Sequence, residues 1–164
     1  MKNSYSTSIF LFLVSLILGF AAQPAWADIV TLTAYLNGSN EVPPVVTGAS
    51  GIATITIDTE GGDINAIPLH LEFTGLSSAQ TAVHIHQAPA GSNGAAVITL
   101  PLGTPVDTTI ALDLALYASL AGGNLYVNVH TANFPAGEIR GNFQVTSTVA
   151  NDNPTWGSMK ALFR

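Results

Sequence analysis

The stretch Gly51-Ile52-Ala53-Thr54-Ile55-Thr56-Ile57-Asp58 decides the fold. Ala53, Ile55 and Ile57 alternate with Thr54, Thr56 and Asp58. Side chains two apart share one face of a strand, so this period buries one face and wets the other. The run stops at Glu60-Gly61-Gly62-Asp63, a turn of hairpin type. The same alternation recurs outward in both directions. It marks Ile29 to Leu36, Ile64 to Thr74, Thr81 to His86, Ala96 to Leu100, Val106 to Leu112, Leu125 to Thr131 and Glu138 to Thr146. Eight or so short strands punctuated by Gly and Pro predict an all-β antiparallel sandwich or barrel. One segment departs from the pattern. Asp113 to Ala121 is rich in Leu and Ala, begins with a capping Asp and ends at Gly122-Gly123, which predicts one short helix.

Composition narrows the class. The chain has 164 residues, 48% of them hydrophobic and only 9% charged, with no Cys. That is enough chain for one core and too apolar for a disordered segment. Four basic against ten acidic residues leave no footprint for nucleic acid. Without Cys there is no disulfide, no thiolate metal cluster and no Cys nucleophile.

The two ends differ from the middle. Lys2, the apolar run Ile9 to Phe20 and Ala25-Trp26-Ala27 have the form of a secretory signal over residues 1–27. Cleavage there makes the mature protein secreted or periplasmic, with no membrane span remaining. The domain then occupies 28–147. Asn151-Asp152-Asn153-Pro154 reads as a linker, so 148–164 form a linker and tail, and Thr155 to Arg164 is a turn, docking or sorting segment.

The four histidines all fall in strand segments. In Val83-His84-Ile85-His86 the apolar pair takes the core, so His84 and His86 share the opposite face, about 7 Å apart along the strand. In Leu125 to His130 the same logic sets His130 on the parity of Asn128 and Tyr126. Imidazoles converging from neighbouring strands make a transition-metal site. Each neutral ring offers one lone pair, and nitrogen donors suit copper, with zinc as the alternative. His84, His86 and His130 are the candidate ligands. His70 shares the parity of Glu72. The short Gly75–Gln80 connection predicts a hairpin that sets His70 opposite His84 or His86. The short Ala132–Gly137 connection predicts Glu138 and Arg140 near His130 and Asn128 on the same face; as a pair of carboxylates, Glu72 and Glu138 are expected to share the histidine face.

Three motifs carry a resemblance. Leu36 to Pro44 (LNGSNEVPP), Ala82 to His86 with Ala88 to Gly94 (AVHIH, APAGSNG), and Gly123 to Thr131 with Phe134 to Gly141 (GNLYVNVHT, FPAGEIRG) are similar, in order, to the signatures of the CHRD domain, named from chordin. The resemblance spans roughly Ile29 to Val145 and implies an exported protein with an immunoglobulin-like β architecture. His70 lies outside those signatures. The HIH strand followed by a distant VH strand is also similar to copper-ligand placement in Cu,Zn superoxide dismutase. That analogy implies copper on His84, His86 and His130, and an anion-attracting role for Arg140, whose plainer role is a salt bridge to Glu138 or a neighbouring acid.

Three functions follow as expectations. The first is metal binding, copper favoured, by the histidine cluster. The second is a metal-free extracellular module that meets a protein partner through its loops or tail. The third is a redox enzyme of dismutase type. No nucleophile elbow or phosphate-binding Gly loop is present, and no catalytic residue is assigned. Asn37-Gly38-Ser39 has the form of a glycosylation acceptor.

Overall fold

The computed structural model describes residues 28–59 and 62–150. The expected signal at 1–27 and most of the expected tail lie outside them. Nine strands and one helix follow the chain: β1 (Asp28–Asn37), β2 (Ser50–Asp58), β3 (Ile67–Thr74), β4 (Gln80–Gln87), β5 (Ala95–Thr99), β6 (Val106–Ile110), α1 (Leu114–Ala121), β7 (Leu125–Thr131), β8 (Ile139–Asn142) and β9 (Gln144–Ala150). All the pairings are antiparallel, as short turn-punctuated strands require.

Hydrogen bonding orders the sheet β5-β4-β7-β8-β1-β2-β3-β6, with β9 paired to β1. The sheet folds over so that its two halves share one core. Val83, Ile85, Val127 and Val129 from one half join Ile55, Leu69, Leu71 and Val106 from the other in a single buried cluster. The alternation read at Gly51–Asp58 is borne out, with Ala53 and Ile55 fully buried. The fold is the expected all-β one.

Three details differ from expectation. The last expected strand is two strands. Phe143 is buried between them and its N–H donates to the Leu125 carbonyl, 3.0 Å away. The break lets the chain leave β7, which pairs β8, and run along β1, which pairs β9. β9 also continues beyond Thr146 to Ala150. The strand expected from Ile64 starts at Ile67. The Asp63 side chain accepts from the Asn65 N–H and holds a turn there instead.

The third difference is topological. Gly75–Gln80 does not close a hairpin. β3 pairs β2 and β6, whereas β4 pairs β5 and β7, so the connection crosses between the halves.

The helix is built as its sequence indicates. The Asp113 carboxylate accepts from the Leu116 N–H at 2.8 Å, and Gly123 takes φ +71 at the exit, a conformation Gly adopts without a Cβ clash. Leu120 is buried in the core, and Leu116 and Tyr117 pack against it.

Candidate functional site: a three-histidine cluster on the outer face of β4 and β7

Adjacent strands β4 and β7 present the cluster. Val83 and Ile85 are fully buried in the core, which turns His84 and His86 outward together. In the ladder His84 faces Asn128, His86 faces Tyr126 and Ala82 faces His130. His130 is therefore diagonal to His84, within reach of a ring. The ring centroids lie 5.0 Å apart for His84 and His130, 5.6 Å for His84 and His86, and 5.7 Å for His86 and His130. One ligand nitrogen from each ring lies within 4.8 Å of the others.

Backbone carbonyls fix two of the rings. His86 Nδ1 lies 3.0 Å from the Gly94 carbonyl, and His130 Nδ1 lies 3.0 Å from the Pro135 carbonyl. A carbonyl only accepts, so both rings donate from Nδ1 and keep their lone pairs on Nε2. His130 Nε2 then receives His84 Nδ1 at 3.1 Å. His86 Nε2 is buried and has no partner among the described residues. Burial holds His86 and His130 below the ordinary histidine range, against the opposing pull of their carbonyl bonds. Both rings are thus neutral near pH 7, the form that donates to a metal.

A further layer orients His86. Tyr126 stacks on it with centroids 5.0 Å apart and rings 12° from parallel. The Gly94 N–H donates to the Tyr126 hydroxyl at 3.1 Å, so Gly94 holds ring and neighbour at once. A Cβ on Gly94 would run into the Gln87 carbonyl, which is why the turn needs Gly there. Arg140 covers the other face of Tyr126, 3.8 Å from the ring centroid.

Of the two expected neighbours, Arg140 lies where its position implied and Glu138 does not. Arg140 does face Asn128 in the ladder, but it is 1% exposed. Its guanidinium donates to Asn93 Oδ1 and the Ser92 carbonyl, both at 3.0 Å. That geometry holds the 88–94 loop and offers no open cation to an anion. Glu138 turns away from the histidines. Its buried carboxylate accepts from Thr47 Oγ1, Thr131 Oγ1 and the Ser77 N–H and hydroxyl at 2.7–3.0 Å. Burial pushes Glu138 up, but these four donors outweigh it and hold the carboxyl below its usual range.

His70 is far from the cluster in topology. It lies on β3, where its Nδ1 meets Asp107 at 2.7 Å and its Nε2 lies 3.9 Å from Glu72. The Asp107 hydrogen bond holds His70 above the usual range. Glu72 therefore belongs to this outer patch and not to the three-histidine face. Asn37, in the expected glycosylation triplet, caps a 3-10 turn at Gly38–Asn40, accepting from the Asn40 N–H and Ser39 hydroxyl.

The fold and site define an all-β domain with a partly buried three-histidine group. The CHRD domain family model matches residues 32–143, and the chain belongs to that family. No curated protein and no solved structure matches the chain.

Proposed function

We propose that this is an exported domain that binds one transition-metal ion, copper in preference to zinc, through His84, His86 and His130. One observation carries the reading. Three imidazoles from two paired strands each bring a nitrogen within 4.8 Å of the others, and the buried Nε2 of His86 has no partner among the described residues. A buried polar atom without a partner is uncommon, and a bound cation supplies one. Nitrogen-only donors favour copper on intrinsic affinity.

The ligand atoms lie within 4.8 Å of one another. Bonds of 2.0–2.1 Å require separations of about 3.3–3.6 Å, so the rings draw in by about an ångström. The cation also competes with a hydrogen bond, because His130 Nε2 uses the same lone pair for His84. Binding therefore depends on pH and weakens as protons refill the rings.

The test is a calorimetric titration of the purified protein with Cu(II), beside the triple variant His84→Ala/His86→Ala/His130→Ala. One stoichiometric site, absent from the variant, is expected. Equal binding by both proteins would refute the reading. The His84–His130 hydrogen bond supports a second reading, a metal-free interaction module in which the rings satisfy one another. That reading predicts weak, non-stoichiometric copper binding. The dismutase reading gains nothing from the placement of Arg140, whose NH groups are bound to the 88–94 loop.

A further inference from the structure

The half of the sheet away from the histidines carries its own outward-facing features. Tyr35 and Ile52 pair across β1 and β2, and Ile52 pairs Glu72 on β3. Asn37, Ser50 and Thr74 form the next row. The Tyr35 side of β1 stands between two clefts, and Tyr35 itself is 64% exposed. One cleft, of about 630 Å³, runs over these two rows to the loop at Thr104 and Pro105. The other, of about 520 Å³, lies between β1, the 39–44 loop and the 90–91 turn, with Asn142 and Gln144 on its far side. Tyr35 lines both.

A single exposed tyrosine is ordinary. The chemistry of its two flanks is more specific. Each cleft has one carboxyl, Glu72 in the first and Glu41 in the second, among hydroxyl and amide side chains. Among the described residues, neither cleft is lined by Lys, Arg or His. Anionic ligands therefore find no cation in the lining, and the polar lining does not suit a purely apolar one. Glu41 is 5% exposed, and its Oε1 has no donor among the described residues. A buried carboxyl oxygen left without a partner beside a cleft is a place for a ligand hydroxyl.

We infer that this face is a binding site for a neutral oligosaccharide, with Tyr35 as the stacking platform. A sugar ring presents a C–H face to an aromatic ring and hydroxyls at its rim, which matches an exposed Tyr flanked by amides, hydroxyls and carboxyls. From Glu72 on β3 to Gln144 on β9 the face crosses three strand spacings, about 14 Å, the length of about three sugar rings. The Tyr35 platform and the first cleft lie on β1, β2 and β3, apart from the histidine strands, whereas the second cleft shares the 88–94 loop and Asn142 of β8 with the histidine side.

The experiment is an amide chemical-shift titration of the purified protein with cellotetraose, maltotetraose and chitotetraose. Spermidine and a tetragalacturonate serve as cationic and anionic comparisons. Saturable shifts on β1, β2 and the 39–44 loop with a neutral tetrasaccharide are expected. Tyr35→Ala should weaken that binding by about tenfold. His84→Ala, which removes a proposed metal ligand whose ring bonds His130 and not the 88–94 loop, should bind the sugar as the wild type does, which separates failure here from failure of the metal site. No saturable shift with any neutral sugar, a response to spermidine or tetragalacturonate alone, or sugar binding unmoved by Tyr35→Ala would each overturn the inference.

Discussion

Glu41 illustrates how one residue records its surroundings. Burial raises its carboxyl to about 7, against the opposing pull of Arg140 and the Val42 N–H. The folded form therefore holds a proton that the unfolded chain releases near 4.5. The sign follows from linkage: this proton favours the fold fully below pH 4.5, and the contribution is lost as pH rises through about 7. Glu41→Gln keeps the shape and removes the titration. We expect wild type and variant to match in urea unfolding at pH 4. The variant should then gain on wild type up to pH 7 and above, by on the order of 2–3 kcal/mol. A stability difference that does not change with pH would contradict this assignment. The histidines show what a sequence reveals at this scale. Parity within a strand is local, so the shared face of His84 and His86 was legible in VHIH. The carbonyls of Gly94 and Pro135 that set the tautomers were not, because a backbone acceptor leaves no mark on residue type.

At the scale of elements, strand identity was legible and partner choice was less so. Eight alternating runs located all nine strands, the last run joining β8 and β9 as one, because burial of one face imposes the period. The Gly75–Gln80 connection was misread because its length suits a hairpin and a crossing between halves equally well. Glu138 was misplaced for another reason. Gly137 takes φ +134, and a Cβ there would run into the Asn128 side chain. That tight bend precedes β8 and releases Glu138 from the parity its position implies. Turns matter to the site as well. The 88–94 turn delivers the Gly94 carbonyl to His86 and the Gly94 N–H to Tyr126. Gly94→Ala should displace both, because its Cβ meets the Gln87 carbonyl. We expect copper affinity to fall by about 10–100-fold, the range for lost outer-shell support, read by calorimetry. Unchanged affinity would show that the carbonyl does not orient the ligand.

Across the whole molecule, two halves of one sheet are held by a shared core and by Glu138. Its carboxylate links the end of β7 to Thr47 before β2 and to Ser77 in the crossing connection. Glu138→Ala leaves four donors without their acceptor in a buried place. We expect destabilisation of about 2–4 kcal/mol with a single cooperative transition retained, measured by urea unfolding. A loss under about 0.5 kcal/mol would make the clamp incidental. The second Tyr35 cleft meets the histidine side at the 88–94 loop, whose Ala90 and Gly91 line that cleft and whose Gly94 carbonyl holds His86.

The central claim is that His84, His86 and His130 together hold one copper ion. Electron paramagnetic resonance of the protein with one equivalent of Cu(II) tests it most directly, run beside the three single His→Ala variants. The account predicts nitrogen hyperfine structure from imidazole ligands in the wild type, altered or lost in each single variant. The same spectrum in the wild type and all three variants would contradict it.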